Sequence, residues 1–193
     1  MPEGHTVHRI AGQFRERFVG QEIRVSSFAD LRGPTACELL DGSQVEHHRS
    51  NAGPDPLAPD RGGKEMLRFI ERVIKAKTPI GQLLMNQDVI SGIGNVYRAE
   101  LLFRAEIDPH RPGSSLQASQ VEGIWHDAVK LLKVGVAKGI MITRDEYLAK
   151  NPNFDDRYFV YKREGLSCRN CGAKVALEIM ATRKLYWCPS CQK

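Results

Sequence analysis

The chain has 193 residues, 41% apolar and 26% charged, enough to bury a core in one domain or two small ones. No apolar run is long enough for a membrane span, and charge interrupts the first apolar positions, so a signal-peptide pattern is absent and a cytosolic setting is expected. The formal charge of +5 is unevenly placed: residues 157–193 hold eight Lys or Arg against Glu164 and Glu178, a local +6, whereas residues 1–156 sum to −1. A compact basic module suggests a polyanionic partner, with a solvated basic face as the competing reading.

The chain opens MPEGHTVHRI. Val7, Ile10, Ala11, Phe14 and Phe18 recur at helical spacing and predict an amphipathic helix. Pro2 lies at its start, where a fixed φ is tolerated, and Glu3 suits the positive end of the helix dipole. If Met1 is removed, the chain begins with a secondary amine beside a carboxylate. Gly20 is a stop signal, QEIRVSS alternates as a strand does, and FADLRGPTACELL has room for one or two more strands. Cys37 reads as a small core residue. The adjacent His47 and His48 point in different directions and fit a surface helix better than a metal site. SNAGPDPLAPDRGG has the composition of a linker.

A helical region follows. Met66, Leu67, Phe69, Ile70, Val73 and Ile74 predict a wide apolar face. PIGQLLMNQ and NVYRAELLFRAEI read as two helices joined by ISGIGN. Gly92-Ile93-Gly94-Asn95 permits a tight turn into a helix whose N-terminus can meet phosphate, with Asn95 adding an amide; taken alone the motif is weak, and a purely structural helix–turn–helix is its commoner explanation. A fourth helix is predicted from Ser119, with Glu122 completing an S-x-x-E capping box and a stripe of Val121, Ile124, Trp125, Ala128 and Leu132. After Gly139 the periodicity dissolves, and TRDEYLAKNPNFDDR reads as a polar, mobile loop.

Two C-x2-C pairs close the chain, Cys168/Cys171 and Cys188/Cys191. Four thiolates at this spacing suit one tetrahedral Zn²⁺, with VALEIM and KLYW as the strands of a hairpin between them. About 37 residues rich in charge and loop cannot fold on apolar burial alone, so a metal would act as the core. Disulfides and a redox pair are the competing readings. A cytosolic setting disfavours the first and the paired spacing disfavours the second.

MPEG, DLRGPTACE, GPDPL, LLMNQDVISGIGNVYRAE, IDPHRPG and TRKLYWCPSCQ, in this order, resemble the formamidopyrimidine-DNA glycosylase / endonuclease VIII family over nearly the whole chain. Thr6, within GHTVHR, is similar to an actinobacterial endonuclease VIII-like branch. The resemblance implies an α+β protein in three parts. Residues 1–45 would be a shortened N-terminal catalytic domain, a β-sandwich remnant. Residues 46–156 would be a helix–two-turn–helix DNA-binding domain, and residues 157–193 a β-hairpin zinc finger. It further implies Pro2 as nucleophile, Glu3 as its acid/base partner, and Asn95 and Arg183 as phosphate contacts. Cys168, Cys171, Cys188 and Cys191 would be ligands of a structural Zn²⁺. The implied partner is double-stranded damaged DNA, the implied state a monomer, and the implied setting the bacterial cytoplasm, associated with the nucleoid.

Residues 21–45 have room for two or three strands, where a sandwich requires about seven. The family's Gly-Lys-His-type segment and its gap-filling loop have no match here. An internal deletion or an abbreviated natural form accounts for both.

The implied chemistry is self-consistent. A damaged base inside a duplex must be flipped out before it is reached. An amine attacking sugar C1′ displaces the base and leaves an imine, which acidifies the C2′ proton and lets the 3′ phosphate leave. An α-amino group titrates near pH 7.7–8.0, so a useful neutral fraction exists at pH 7. A base-excision-repair glycosylase with abasic-site lyase activity is therefore the leading expectation. A catalytically impaired relative that still binds DNA is the alternative. A zinc-ribbon module for RNA or protein is a third reading, which leaves MPEG unexplained.

Overall fold

The computed structural model describes Arg9, residues 53–59 and residues 62–193. The predicted first helix, the strands before residue 45, and Pro2, Glu3, Thr6, Cys37, His47 and His48 lie outside these residues.

Four α-helices and one hairpin organise the described residues: α1 (Lys64–Ile74), α2 (Ile80–Leu83), α3 (Asn95–Arg104), α4 (Ala118–Lys138), β1 (Ala176–Met180) and β2 (Arg183–Trp187). No helix among them is long and apolar enough to cross a membrane.

The apolar stripes form the first core. Phe69 and Val73 of α1 meet Val121, Trp125 and Leu132 of α4, and the rings of Phe69 and Trp125 lie 5.6 Å apart. The face of α1 is narrower than predicted, because Leu67 is 53% exposed. Near α4 the predicted capping box is replaced. The chain is still extended at Gln117, so this residue is the N-cap, and its N–H donates to Gln120 Oε1 at 3.0 Å. Ser119 thus falls inside the first turn, and Glu122 instead lies 3.5 Å from His126 Nε2, one turn on. Gly139 ends α4 at φ 70°, in the left-handed region that glycine enters without strain.

The helix predicted over PIGQLLMNQ shrinks to α2. Asn86 accounts for this: its Oδ1 accepts the Asp88 N–H at 2.9 Å, a local turn that competes with continued helix. Gln87 then clamps the glycine turn, its Oε1 accepting from Gly92 N and its Nε2 donating to Ile93 O, both at 2.9 Å. Gly92 sits at φ 81°.

Helix α3 is the hub. Every residue from Val96 to Phe103 is buried. One side joins the first core through Tyr97, Leu101 and Leu102. The other, Ala99 and Phe103, joins a second core with Val160, Val175, Tyr186 and Cys188 of the C-terminal module. Its end is a Schellman turn, with Glu106 N–H bonded to Phe103 O and Ile107 N–H to Leu102 O, each at 3.0 Å.

The antiparallel hairpin pairs Met180 with Arg183 and Ala176 with Trp187, close to the predicted strands. Gln192 fastens the module to the helices: its Oε1 accepts from Cys188 N at 2.8 Å and its Nε2 donates to Ile107 O at 2.9 Å. The segment predicted to be a polar, mobile loop is tied down at both ends. Thr143 is fully buried, and Arg144 is held by Asp156 and lies over the Tyr147 ring.

Candidate functional site

Asn95 opens α3, directly after the glycine turn, and is partly exposed. Its Nδ2 donates to the main-chain oxygen of Lys184 at 2.8 Å. Arg183, the residue before, is exposed and opens β2. Asn95 and Lys184, 89 positions apart in sequence, therefore meet at one corner, where the helix N-terminus touches the hairpin next to Arg183.

A residue not singled out from the sequence holds this corner. Arg98 is fully buried one turn along α3 from Asn95. Its Nη2 donates to Asn95 Oδ1 at 2.5 Å and to Lys184 O at 3.1 Å, and its Nη1 donates to Met180 O at 3.0 Å. Burial pushes its pKa down to about 10, against the opposing pull of Glu178, so the guanidinium is still charged at neutral pH. The i, i+3 spacing of Asn95 and Arg98 was the available signal, since it places both on one helix face.

Glu100, two residues on, points to the opposite side of α3. It is fully buried, and its carboxylate accepts N–H bonds from Phe159, Val160 and Tyr161 at 2.8–2.9 Å and the Thr143 hydroxyl at 2.5 Å. It thereby sets the path of the chain between the helices and the hairpin module.

The four cysteines converge as the spacing predicts. All four sulfurs lie within 4.8 Å of one another, with Cys168 to Cys191 at 3.8 Å and Cys171 to Cys188 at 3.5 Å. A tetrahedral Zn²⁺ with bonds of about 2.3 Å needs sulfurs about 3.8 Å apart, so the group fits a four-thiolate metal site. Hydrogen bonding from the Ala173 N–H brings the Cys171 thiol down to about 6, whereas burial pushes Cys188 up.

Of the sequence-predicted site residues, the structure thus brings together Asn95 with the Arg183 turn, and Cys168, Cys171, Cys188 and Cys191 with each other. Pro2 and Glu3 lie outside the described residues.

Residues 52–146 match the model of the formamidopyrimidine-DNA glycosylase H2TH domain. Over 186 residues the chain is 42% identical to endonuclease 8 1 of Mycobacterium tuberculosis, covering 94% of this chain and 67% of that protein. The chain belongs to the formamidopyrimidine-DNA glycosylase / endonuclease VIII family. Among solved members, MutM (Fpg) from Thermus thermophilus superposes with a TM-score of 0.60 at 31% identity, over 74% of this chain and 54% of that one. The complex of Lactococcus lactis Fpg with DNA containing an abasic site gives 0.61 at 27% identity, over 74% and 52%. The chain therefore spans about two thirds of the mycobacterial relative and about half of these solved family structures.

Proposed function

We propose that this family member binds damaged duplex DNA and acts on it as a base-excision-repair glycosylase and abasic-site lyase. Asn95 and the exposed Arg183 grip the phosphates that flank the lesion. Pro2 attacks C1′ once Met1 is removed, and Glu3 protonates the sugar ring oxygen as the ring opens. The base departs, an imine forms between the Pro2 nitrogen and C1′, and loss of the C2′ proton expels the 3′ phosphate. Cys168, Cys171, Cys188 and Cys191 hold a Zn²⁺ that supplies no chemistry and keeps the Arg183 turn in place.

The observation that carries this reading is the meeting of Asn95 and the Arg183 turn through Lys184 O. Two phosphate donors from distant segments share one corner, on the basic C-terminal module and a helix N-terminus. Phosphate contacts position a protein on DNA without reading bases, which suits an enzyme that must patrol any sequence.

The test is incubation with two matched duplexes, intact and abasic, followed by strand analysis. Cleavage confined to the abasic duplex supports the lyase reading. Tight binding of both without cleavage favours a DNA-binding relative that has lost catalysis. Preference for RNA over duplex DNA overturns both.

A further inference from the structure

We propose that Arg98 is a positioning residue for phosphate recognition, acting through the Asn95 amide and the hairpin turn that presents Arg183. The inference rests on the reading of Asn95 and Arg183 as phosphate contacts.

Arg98 does two separable things. The first concerns the polarity of Asn95. A guanidinium only donates, so Nη2 must meet the oxygen of the Asn95 side chain. The amide nitrogen is then fixed on the outer side, where one of its two hydrogens goes to Lys184 O. The other is left for an acceptor, and a phosphate oxygen is one. Without Arg98 the amide keeps only its bond to Lys184 O, and one of the two restraints on its polarity is lost.

The second concerns the turn. Met180 and Arg183 are the closing pair of a two-residue hairpin loop, Ala181-Thr182. Both loop residues are left-handed, with φ 52° and 60°. A two-residue hairpin turn with both φ positive favours Asn-Gly, and a β-branched residue there is strained. Such strain persists only where surrounding structure holds it, and it concentrates where function demands a fixed shape. Here the restraint is Arg98, whose Nη1 and Nη2 bond the carbonyl oxygens of Met180 and Lys184 on the two sides of the loop. Its Nε finds no partner among the described residues, so the guanidinium is not placed for its own satisfaction.

The experiment is a double-mutant cycle on the full chain, with a duplex carrying a stable abasic-site analogue as the probe. Affinity and its salt dependence are measured for wild type, Arg98→Gln, Arg183→Ala and the double variant, with helix signal and zinc content as checks on folding. Arg98→Gln should weaken binding about tenfold and flatten the slope of log K against log salt by about one, as Arg183→Ala does. In the Arg183→Ala background the Arg98→Gln loss should shrink to less than about threefold. Replacing the loop by Asn-Gly (A181N with T182G) should restore at least about half of the lost binding energy in the Arg98→Gln background, because that loop adopts the turn unaided. Should Arg98→Gln lose its helix signal, Arg98→Lys takes its place in the cycle, since one ammonium cannot span three separated acceptors. Fully additive losses with an unchanged salt slope and no loop rescue overturn the positioning role and leave the phosphate reading standing. An Arg183→Ala variant with unaltered affinity and slope overturns the phosphate reading itself, and the positioning role with it.

Discussion

Glu100 Oε1 accepts the main-chain N–H of Val160 at 2.9 Å, joining the middle of a buried helix to a segment sixty residues further along. Phe159, Tyr161 and Thr143 donate to the same carboxylate. Glu100→Gln replaces one acceptor oxygen by an NH2 group that faces donors. The variant should lose about 3 kcal/mol of stability, because hydrogen bonds to a buried charge are strong and their loss leaves N–H groups unpaired. Chemical denaturation of the metal-loaded protein measures this. A loss below about 0.5 kcal/mol, the usual size for a surface substitution, contradicts the role given to Glu100.

Metal removal should act on one part of the molecule. The second core, built from Val160, Val175, Tyr186 and Cys188 against α3, is small, and the four thiols at its edge have no other cross-link. Chelation should unfold residues 157–193 and weaken duplex binding, while the Phe69–Trp125 core persists. Hydrogen exchange followed with and without chelator reads both regions at once. Freshly purified protein free of zinc but with normal DNA affinity contradicts the metal assignment.

Acid should loosen the strap between α3, α4 and the segment after Gly139. Arg104 bonds Asp127 at 2.5 Å and Asp145 at 3.0 Å, and Lys130 bonds Asp145 at 2.6 Å. Burial is the largest single influence on Asp145 and raises its pKa, but the hydrogen bonds and charges of Lys130 and Arg104 together outweigh it and hold the carboxyl below its ordinary value. A depressed folded pKa means the stabilisation is complete above the unfolded value and is lost as pH falls through the folded one. The stability difference between wild type and Asp145→Asn should therefore shrink below about pH 4. Thermal melts from pH 7 to pH 3 check this, and a difference that stays constant across the range contradicts it.

Close packing at α2 gives a steric prediction. A Cβ on Gly81 would come within 2.7 Å of Met180 Sδ and 3.1 Å of Pro109 O. The methionine end can move, but the Pro109 carbonyl accepts the Gly81 N–H at 2.9 Å and cannot retreat without losing that bond. Gly81→Val should cost about 2 kcal/mol and shift the base of the hairpin, an overpacking effect. Stability equal to wild type removes the case for close approach there.

The elements that could be read from the sequence were those whose signal is local. The α4 stripe, the start of α3 at Asn95, the paired cysteines and the two hairpin strands each carry their own spacing. What escaped depended on partners far away. Arg98 and Glu100 look like solvent-facing charges within NVYRAE until α3 is found buried on both sides. Nothing local told that Met180, Lys184, Val160 and Tyr161 supply their partners. Ser119 and Glu122 fit the capping-box pattern, but the chain turns helical two residues earlier and uses Gln117 and Gln120. The helix at α2 is shorter than its apolar spacing suggests because the turn-forming side chain of Asn86 ends it.

The proposed chemistry turns on a covalent imine between the Pro2 amine and abasic DNA. The direct measurement is borohydride reduction of the protein on an abasic duplex, followed by proteolysis and mass spectrometry of the linked peptide. Only an imine is reduced to a stable crosslink. A crosslink on the peptide that begins at Pro2 is expected, and it should be lost when a residue is inserted ahead of Pro2. A crosslink carried by a lysine, or no crosslink from protein that binds the duplex tightly, contradicts it.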